Sequence, residues 1–245
     1  MRQALRTAIP IPVRRPRLSR RAFYVGLSLL MSGIAVVGFW PTYFEPLLRG
    51  SLQQAPLLRL HSLAFTGWLG LFLMQALFAV TGRLDWHRRI GNIGIVYGVF
   101  MIVDGLSLAF IRSAALPRGG EAEQHLFAPL ADMVVFTSFF GAAIAYRRRA
   151  HLHERLMVVA ATLLLIAAVG RMSFLPPTLV RVPLFMAIWS LPIVVAMAYD
   201  VSRGRGAHPI YLLGLGAFAV RILTAPFATT LIWRAIGGWL LAWGG

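Results

Sequence analysis

Residues 90–111 read IGNIGIVYGVFMIVDGLSLAFI, a run of 22 residues with one charged side chain, Asp104. A transmembrane helix needs about 20 apolar residues to cross about 30 Å of hydrocarbon. Comparable runs occupy residues 22–40, 60–81, 128–146, 156–174, 182–200 and 210–232. Lipid offers no hydrogen-bond partner to peptide groups, so each run must be helical. The sequence therefore predicts an all-α polytopic membrane protein, a bundle of about seven transmembrane helices.

The composition supports this prediction and excludes several kinds of cofactor. The 245 residues are 58% hydrophobic and 13% charged, whereas soluble domains are typically about 25% charged. Cysteine is absent. Disulfides, iron–sulfur clusters, thioether-linked haem and zinc–thiolate sites are therefore excluded.

The arginines predict the orientation in the membrane. The net charge is +16, and all 24 basic residues are arginine. Sixteen of them lie in the N-terminal segment and in the loops after the second, fourth and sixth runs, whereas six lie on the other side. Cytoplasmic loops carry the excess of basic residues, so we expect a cytoplasmic N-terminus and a C-terminus outside.

This charge pattern also divides the chain and predicts its partners. We expect a basic cytoplasmic tail at residues 1–21, a transmembrane domain at 22–233 and a short outer interfacial tail at 234–245. Arginines at the ends of apolar runs are typical of contact with anionic lipid headgroups at the cytoplasmic face. They do not form the continuous basic surface of a nucleic-acid-binding protein, so no nucleic acid is expected. Membrane protein partners are a further hypothesis.

Four charged side chains lie inside the apolar runs and are candidate functional residues. A charge at the bilayer centre costs about 2.5–3.5 kcal/mol on insertion scales, so it is a functional-site hypothesis by default. At about 1.5 Å per residue, all four fall in one layer of the outer half of the membrane. The four are Asp104, Asp132, Arg171 and Arg221. They predict either a substrate or ion pathway or salt bridges between helices. Gln75 is a fifth buried polar candidate.

Six histidines lie near the ends of the runs. His61 and His125 are predicted at the outer side, and His87 and His153 at the cytoplasmic side. Two imidazoles from different helices at one depth can bind the iron of a b-type haem, with arginines for its propionates. An alternative is a non-haem metal site at the cytoplasmic side, built from His87, His151, His153 and His208.

Three blocks of sequence resemble an uncharacterised family of multi-spanning bacterial inner-membrane proteins. The first runs from Leu60-His61 to His87-Arg88-Arg89-Ile90-Gly91, the second from Arg147-Arg148-Arg149 to His153-Glu154-Arg155-Leu156-Met157, and the third is Gly206-Ala207-His208-Pro209 with Arg221. The resemblance implies a bacterial inner-membrane location but no assigned chemistry. It carries over His61, Gln75, His87, Arg88, Arg89, His153, Arg155, Arg171, His208 and Arg221. Asp104 and His125 lie outside the family pattern.

Three functional hypotheses follow from these residues. The first is a membrane redox component that binds b-type haem through His61, His87, His125 and His153, an architecture similar to that of the cytochrome b561 group. The second is a transporter, channel or receptor-like protein that uses the Asp/Arg layer. The third is a non-catalytic accessory subunit of a membrane complex.

Overall fold

The computed structural model describes residues 20–175 and 181–243. Within them the chain is helical and has no β-strand. All but Arg20 and Arg21 of the predicted basic tail lie outside the described residues. The longer helices are α1 (Arg20–Phe39), α2 (Pro56–Val80), α3 (Leu84–Ala114), α4 (Glu121–Ala145), α5 (Ala150–Leu163), α6 (Arg181–Ser202), α7 (Pro209–Leu223) and α8 (Leu231–Trp243).

Short helical segments extend three of these helices. A π-helical turn (Trp40–Phe44) and an α-helical turn (Glu45–Leu48) continue α1. Pro41, near the start of the π-helical turn, has no backbone N–H to donate to the regular α-helical ladder. The segment Ile166–Val169 continues α5, and a 3₁₀-helix (Ala225–Thr229) continues α7.

Seven of the helical units are long and apolar enough to cross a membrane, as predicted. Their outward-facing side chains are apolar, and Val96, Val103 and Leu213 are all more than half exposed. Soluble monomers rarely expose apolar surfaces of this extent, because such surfaces associate in water. The described structure is therefore that of a multi-pass membrane protein.

Helix α5 lies at the centre of the bundle. It packs against α1, α4, α6 and α7, while α1 to α4 contact one another in chain order. Small and β-branched residues let neighbouring helices approach closely. Those of α5 are fully buried: Val158, Val159, Ala160 and Ala161. The sequence-predicted span of 156–174 matches this position, but regular helix ends earlier, at Val169.

A break between Leu163 and Ile166 divides this central helix. The indole Nε1 of Trp189, on α6, donates to the carbonyl oxygens of Thr162 and Leu163 at 3.1 and 3.2 Å. Insertion of a side chain into the backbone ladder is a recognised cause of helix kinks. Trp189 is fully buried and stacks on Phe218 of α7 at 4.1 Å between ring centroids. The break is thus stabilised by hydrogen bonds and by packing.

The last predicted span, 210–232, is two elements in the structure. It comprises α7 with its 3₁₀ extension and the beginning of α8, separated at Thr230. Helix α8 has 13 residues and packs against the start of α4. The Nε1 atom of Trp233 donates to the Glu123 carbonyl at 2.6 Å, and Arg118 donates to the Leu241 carbonyl at 3.3 Å.

The two ends of the bundle differ in their arginine content. At the arginine-rich end, α1, α3, α5 and α7 begin, and α2, α4 and α6 finish. At the opposite end, α2, α4, α6 and α8 begin. Three clusters of arginines lie at the arginine-rich end. They are Arg83 with Arg88 and Arg89 of α3, then Arg147, Arg148 and Arg149 in the loop before α5, then Arg203 and Arg205 in the loop before α7.

Candidate functional site

His87 and His153 occupy equivalent positions at the arginine-rich end. Each is the fourth residue of its helix, His87 in α3 and His153 in α5. Both helices pack against α4, and the two imidazoles are close enough to interact electrostatically. The first turns of these parallel helices thus bring the two rings to one end of the bundle, as the sequence predicted.

Each ring has its Nδ1 atom close to a backbone carbonyl oxygen. The Nδ1 atom of His87 lies 3.1 Å from the Gln75 carbonyl oxygen, and that of His153 lies 2.8 Å from the Ala143 carbonyl oxygen. In each case the carbonyl belongs to the preceding antiparallel helix. For His153, an Nδ1–H that donates to the Ala143 carbonyl makes Nε2 the unprotonated nitrogen, the state in which an imidazole binds a metal. Neither Nε2 atom bonds another residue in the described part of the chain.

Gln75 connects α2 to the first turns of α3. With its amide nitrogen turned toward α3, the side chain donates to His87 Nδ1 and to the His87 carbonyl oxygen, both at 2.9 Å, and its oxygen accepts from Gly91 N–H at 3.3 Å. When Nδ1 of His87 accepts from this amide, the proton of the neutral imidazole is on Nε2. The sequence assigned Gln75 to an ion or substrate pathway together with the Asp/Arg layer. The structure places it beside His87, which it contacts through both its side chain and its backbone carbonyl.

His61 and Asp104 form a second polar pair, toward the opposite end. The Nδ1 atom of His61 on α2 lies 2.8 Å from Asp104 Oδ2 on α3. The Asp104 side chain is 1% exposed, and that of His61 is 26% exposed. The other carboxylate oxygen, Oδ1, is buried and has no hydrogen-bond partner among the described residues. Arg171 lies close enough for its charge to act on His61.

The predicted haem pair of His61 and His125 is not brought together. His125 Nδ1 lies 2.9 Å from the Ser113 hydroxyl, whereas His61 bonds Asp104. Ser113 and Asp104 are nine residues apart on α3, which is about 14 Å at 1.5 Å per residue. His125 is therefore closer to the bundle end, and its position is set by the last turn of α3.

The predicted Asp/Arg layer separates into different kinds of interaction. Arg221 Nε donates to Asp132 Oδ1 at 2.6 Å, and Arg221 Nη2 donates to the Ala128 carbonyl at 3.3 Å. Arg171 donates to the Ala167 carbonyl at 2.8 Å and lies 4.9 Å above the Phe39 ring centroid. Asp104 pairs with a histidine. Only Asp132 and Arg221 thus form the expected acid–arginine pair in the described structure.

A buried ion pair near the arginine-rich end was missed in the sequence. Arg155 Nε and Nη2 both donate to Asp200 Oδ2, at 2.9 and 2.6 Å, and neither side chain is more than 4% exposed. Glu154 connects this pair to α1, since it forms ion pairs with Arg155 and Arg20. Asp200 ends an apolar run and resembles an ordinary flanking residue. Acidic residues are rare in this sequence, which has only eight, and that rarity was the one feature that could have marked Asp200 as a candidate.

The remaining histidines serve local structure. The Nδ1 atom of His208 accepts a hydrogen bond from Ile210 N–H and caps α7. Burial, followed by the nearby charge of Arg155, lowers the pKa of His208. The His151 carbonyl accepts from Arg155 at 2.6 Å. Residues 20–175 and 181–243 contain no group of three or more metal-binding side chains, so the four-histidine alternative is not assembled there.

Comparison with known proteins returns no matching family model, no similar curated protein and no similar solved structure.

Proposed function

We propose that the protein is a membrane-embedded electron carrier that binds one b-type haem through His87 and His153. The observation that carries the proposal is their matched geometry at the arginine-rich end. Two imidazoles from different helices lie at one level, and each has its Nδ1 atom close to a backbone carbonyl oxygen. A bis-histidine haem requires ligands of this kind.

The surroundings favour the same cofactor. Arg147 is close enough for its charge to act on His153, and Arg88 and Arg89 follow His87 in α3. Guanidinium groups bind carboxylates such as haem propionates through charge-assisted hydrogen bonds. Haem would supply one-electron redox chemistry. The chain would hold the two imidazoles and neutralise the propionates.

The arginine distribution favours a location of this site near the cytoplasmic face. Positive loops stay in the cytoplasm, so the arginine-rich end would face inward and α8 would lie at the outer interface. The resemblance to bacterial inner-membrane proteins supports that membrane as the location. The electron donor or acceptor would then reach the haem from the cytoplasmic side.

An absorption spectrum of the purified protein tests the proposal. The protein should be expressed with haem supplied, purified in detergent, and measured oxidised and after dithionite reduction. We expect one haem per chain and the spectrum of a low-spin b-type cytochrome. His87→Ala and His153→Ala should each lose that spectrum, whereas the matched change His125→Ala should keep it.

Two outcomes of this experiment would contradict the haem proposal. A folded wild-type protein that stays colourless with excess haem would overturn the proposal. So would a spectrum that survives both His87→Ala and His153→Ala. A colourless protein would favour the transporter or accessory-subunit hypotheses.

A further inference from the structure

We infer that His61 and Asp104 form a proton-binding site in the half of the bundle away from His87 and His153. This inference does not depend on haem. Asp104 is buried within α3 and connects to the surface through the partly exposed ring of His61 on α2. Their hydrogen bond of 2.8 Å provides a direct route for a proton between imidazole and carboxylate.

The acids in the bundle interior differ in whether their partner can gain and lose a proton. Asp132 is paired with Arg221, and Asp200 with Arg155. Arginine keeps its proton at any physiological pH, so the arginine of each pair holds a fixed positive charge. Histidine gains and loses a proton near neutral pH. Asp104 is thus paired with a group that can itself exchange a proton with solvent.

The unpaired oxygen of Asp104 also favours the uptake of a proton. Oδ1 is buried without a hydrogen-bond partner in the described ranges. A buried carboxylate with an unsatisfied oxygen is costly, and a proton or a nearby cation reduces that cost. When one proton enters, the pair becomes either imidazolium with carboxylate or imidazole with carboxylic acid. Both forms keep the hydrogen bond, so uptake requires no helix movement.

The charges around the pair limit it to one additional proton. Arg171 acts on His61, and Arg112 acts in turn on Arg171. On α3 itself, Tyr97 lies within electrostatic range of Asp104. Two positive arginines oppose further positive charge. One carboxylate and one imidazole also provide too few oxygen ligands for Ca²⁺ or Mg²⁺. A single proton is the cation that this site fits.

Proton uptake by the purified protein in lipid nanodiscs tests the inference. The number of protons bound per chain between pH 8 and pH 5 should be measured by potentiometric titration, with empty nanodiscs subtracted. We expect Asp104→Asn to bind about one proton fewer than the wild type, since it removes the carboxylate that stabilises the proton. Asp132→Asn is the matched control, because Asp132 is another largely buried acid that is paired with an arginine rather than a histidine. This variant should leave the number of bound protons unchanged.

A variant of His61 and an infrared measurement test the same inference independently. If Asp104→Asn does not fold, His61→Gln should show the same loss of about one proton. Infrared difference spectra between the two pH values should contain imidazole or carboxyl bands that both variants remove. Unchanged proton uptake in a folded Asp104→Asn or His61→Gln protein would overturn the inference. Equal losses in Asp104→Asn and Asp132→Asn would also overturn it.

Discussion

Arg155 and Asp200 join the central helix α5 to α6 through two hydrogen bonds to a single carboxylate oxygen. Both side chains are almost completely buried, so neither charge is hydrated by bulk solvent. Removal of one partner from a buried ion pair leaves the other charge uncompensated, which typically costs about 3–5 kcal/mol. This pair therefore holds two helices in one relative position near the arginine-rich end.

Asp200→Asn should destabilise the folded protein. We expect a loss of about 3 kcal/mol, at the lower end of the usual range, because Glu154 remains beside Arg155. The measurement is thermal or denaturant unfolding in a mild detergent. Asp85→Asn is the control: Asp85 is largely exposed, 3.8 Å from Arg88, and its loss should cost less than about 0.5 kcal/mol. Equal effects of the two changes would contradict the assignment.

Asp132 and Arg221 should behave as a coupled pair in a double-mutant cycle. Asp132→Asn and Arg221→Gln each leave one buried charge unpaired, whereas the double variant leaves none. We expect the double variant to be more stable than the sum of the single losses predicts, with a coupling energy of about 1–3 kcal/mol. Strictly additive losses would mean that the ion pair contributes nothing to stability beyond each side chain's separate packing.

Gly38→Ala should disrupt the contact between α1 and the extension of α5. A Cβ atom at Gly38 would collide with the backbone of Ala168, which cannot move aside as a flexible side chain could. Overpacking of this kind costs about 1–3 kcal/mol. At Gly33, on the same helix, a Cβ atom would meet nothing within 4 Å. Gly33→Ala should be neutral or stabilising by up to about 1 kcal/mol, because alanine favours helix.

The same unfolding assay compares these two glycine variants. A Gly38→Ala protein as stable as Gly33→Ala would show that the two helices do not approach at this position.

The transmembrane helices were predictable because the bilayer fixes their length and polarity. Residues 90–111 needed no tertiary information to be assigned as a span. The break after Leu163 was not predictable, since Leu164, Leu165 and Ile166 are as apolar as their neighbours. It depends on Trp189, which approaches from another helix and supplies a hydrogen-bond donor.

The polar sites were only partly predictable, for a related reason. Hydropathy reports the depth of a residue in the membrane but not the direction its side chain faces. Asp104, Asp132, Arg171 and Arg221 are predicted at one depth from the sequence, yet Asp104 bonds His61 while Asp132 bonds Arg221. His87 and His153 were easier, because their place in the first turns of α3 and α5 limits both depth and neighbours.

The contacts of His87 and His153 with backbone carbonyls each lie within one helical hairpin. Each imidazole contacts the helix immediately before its own, so α2–α3 and α4–α5 each contain one complete histidine–carbonyl contact. Both rings can therefore be oriented before the two hairpins meet. Assembly of the pair then requires only lateral association of two preformed pieces, with no refolding of either.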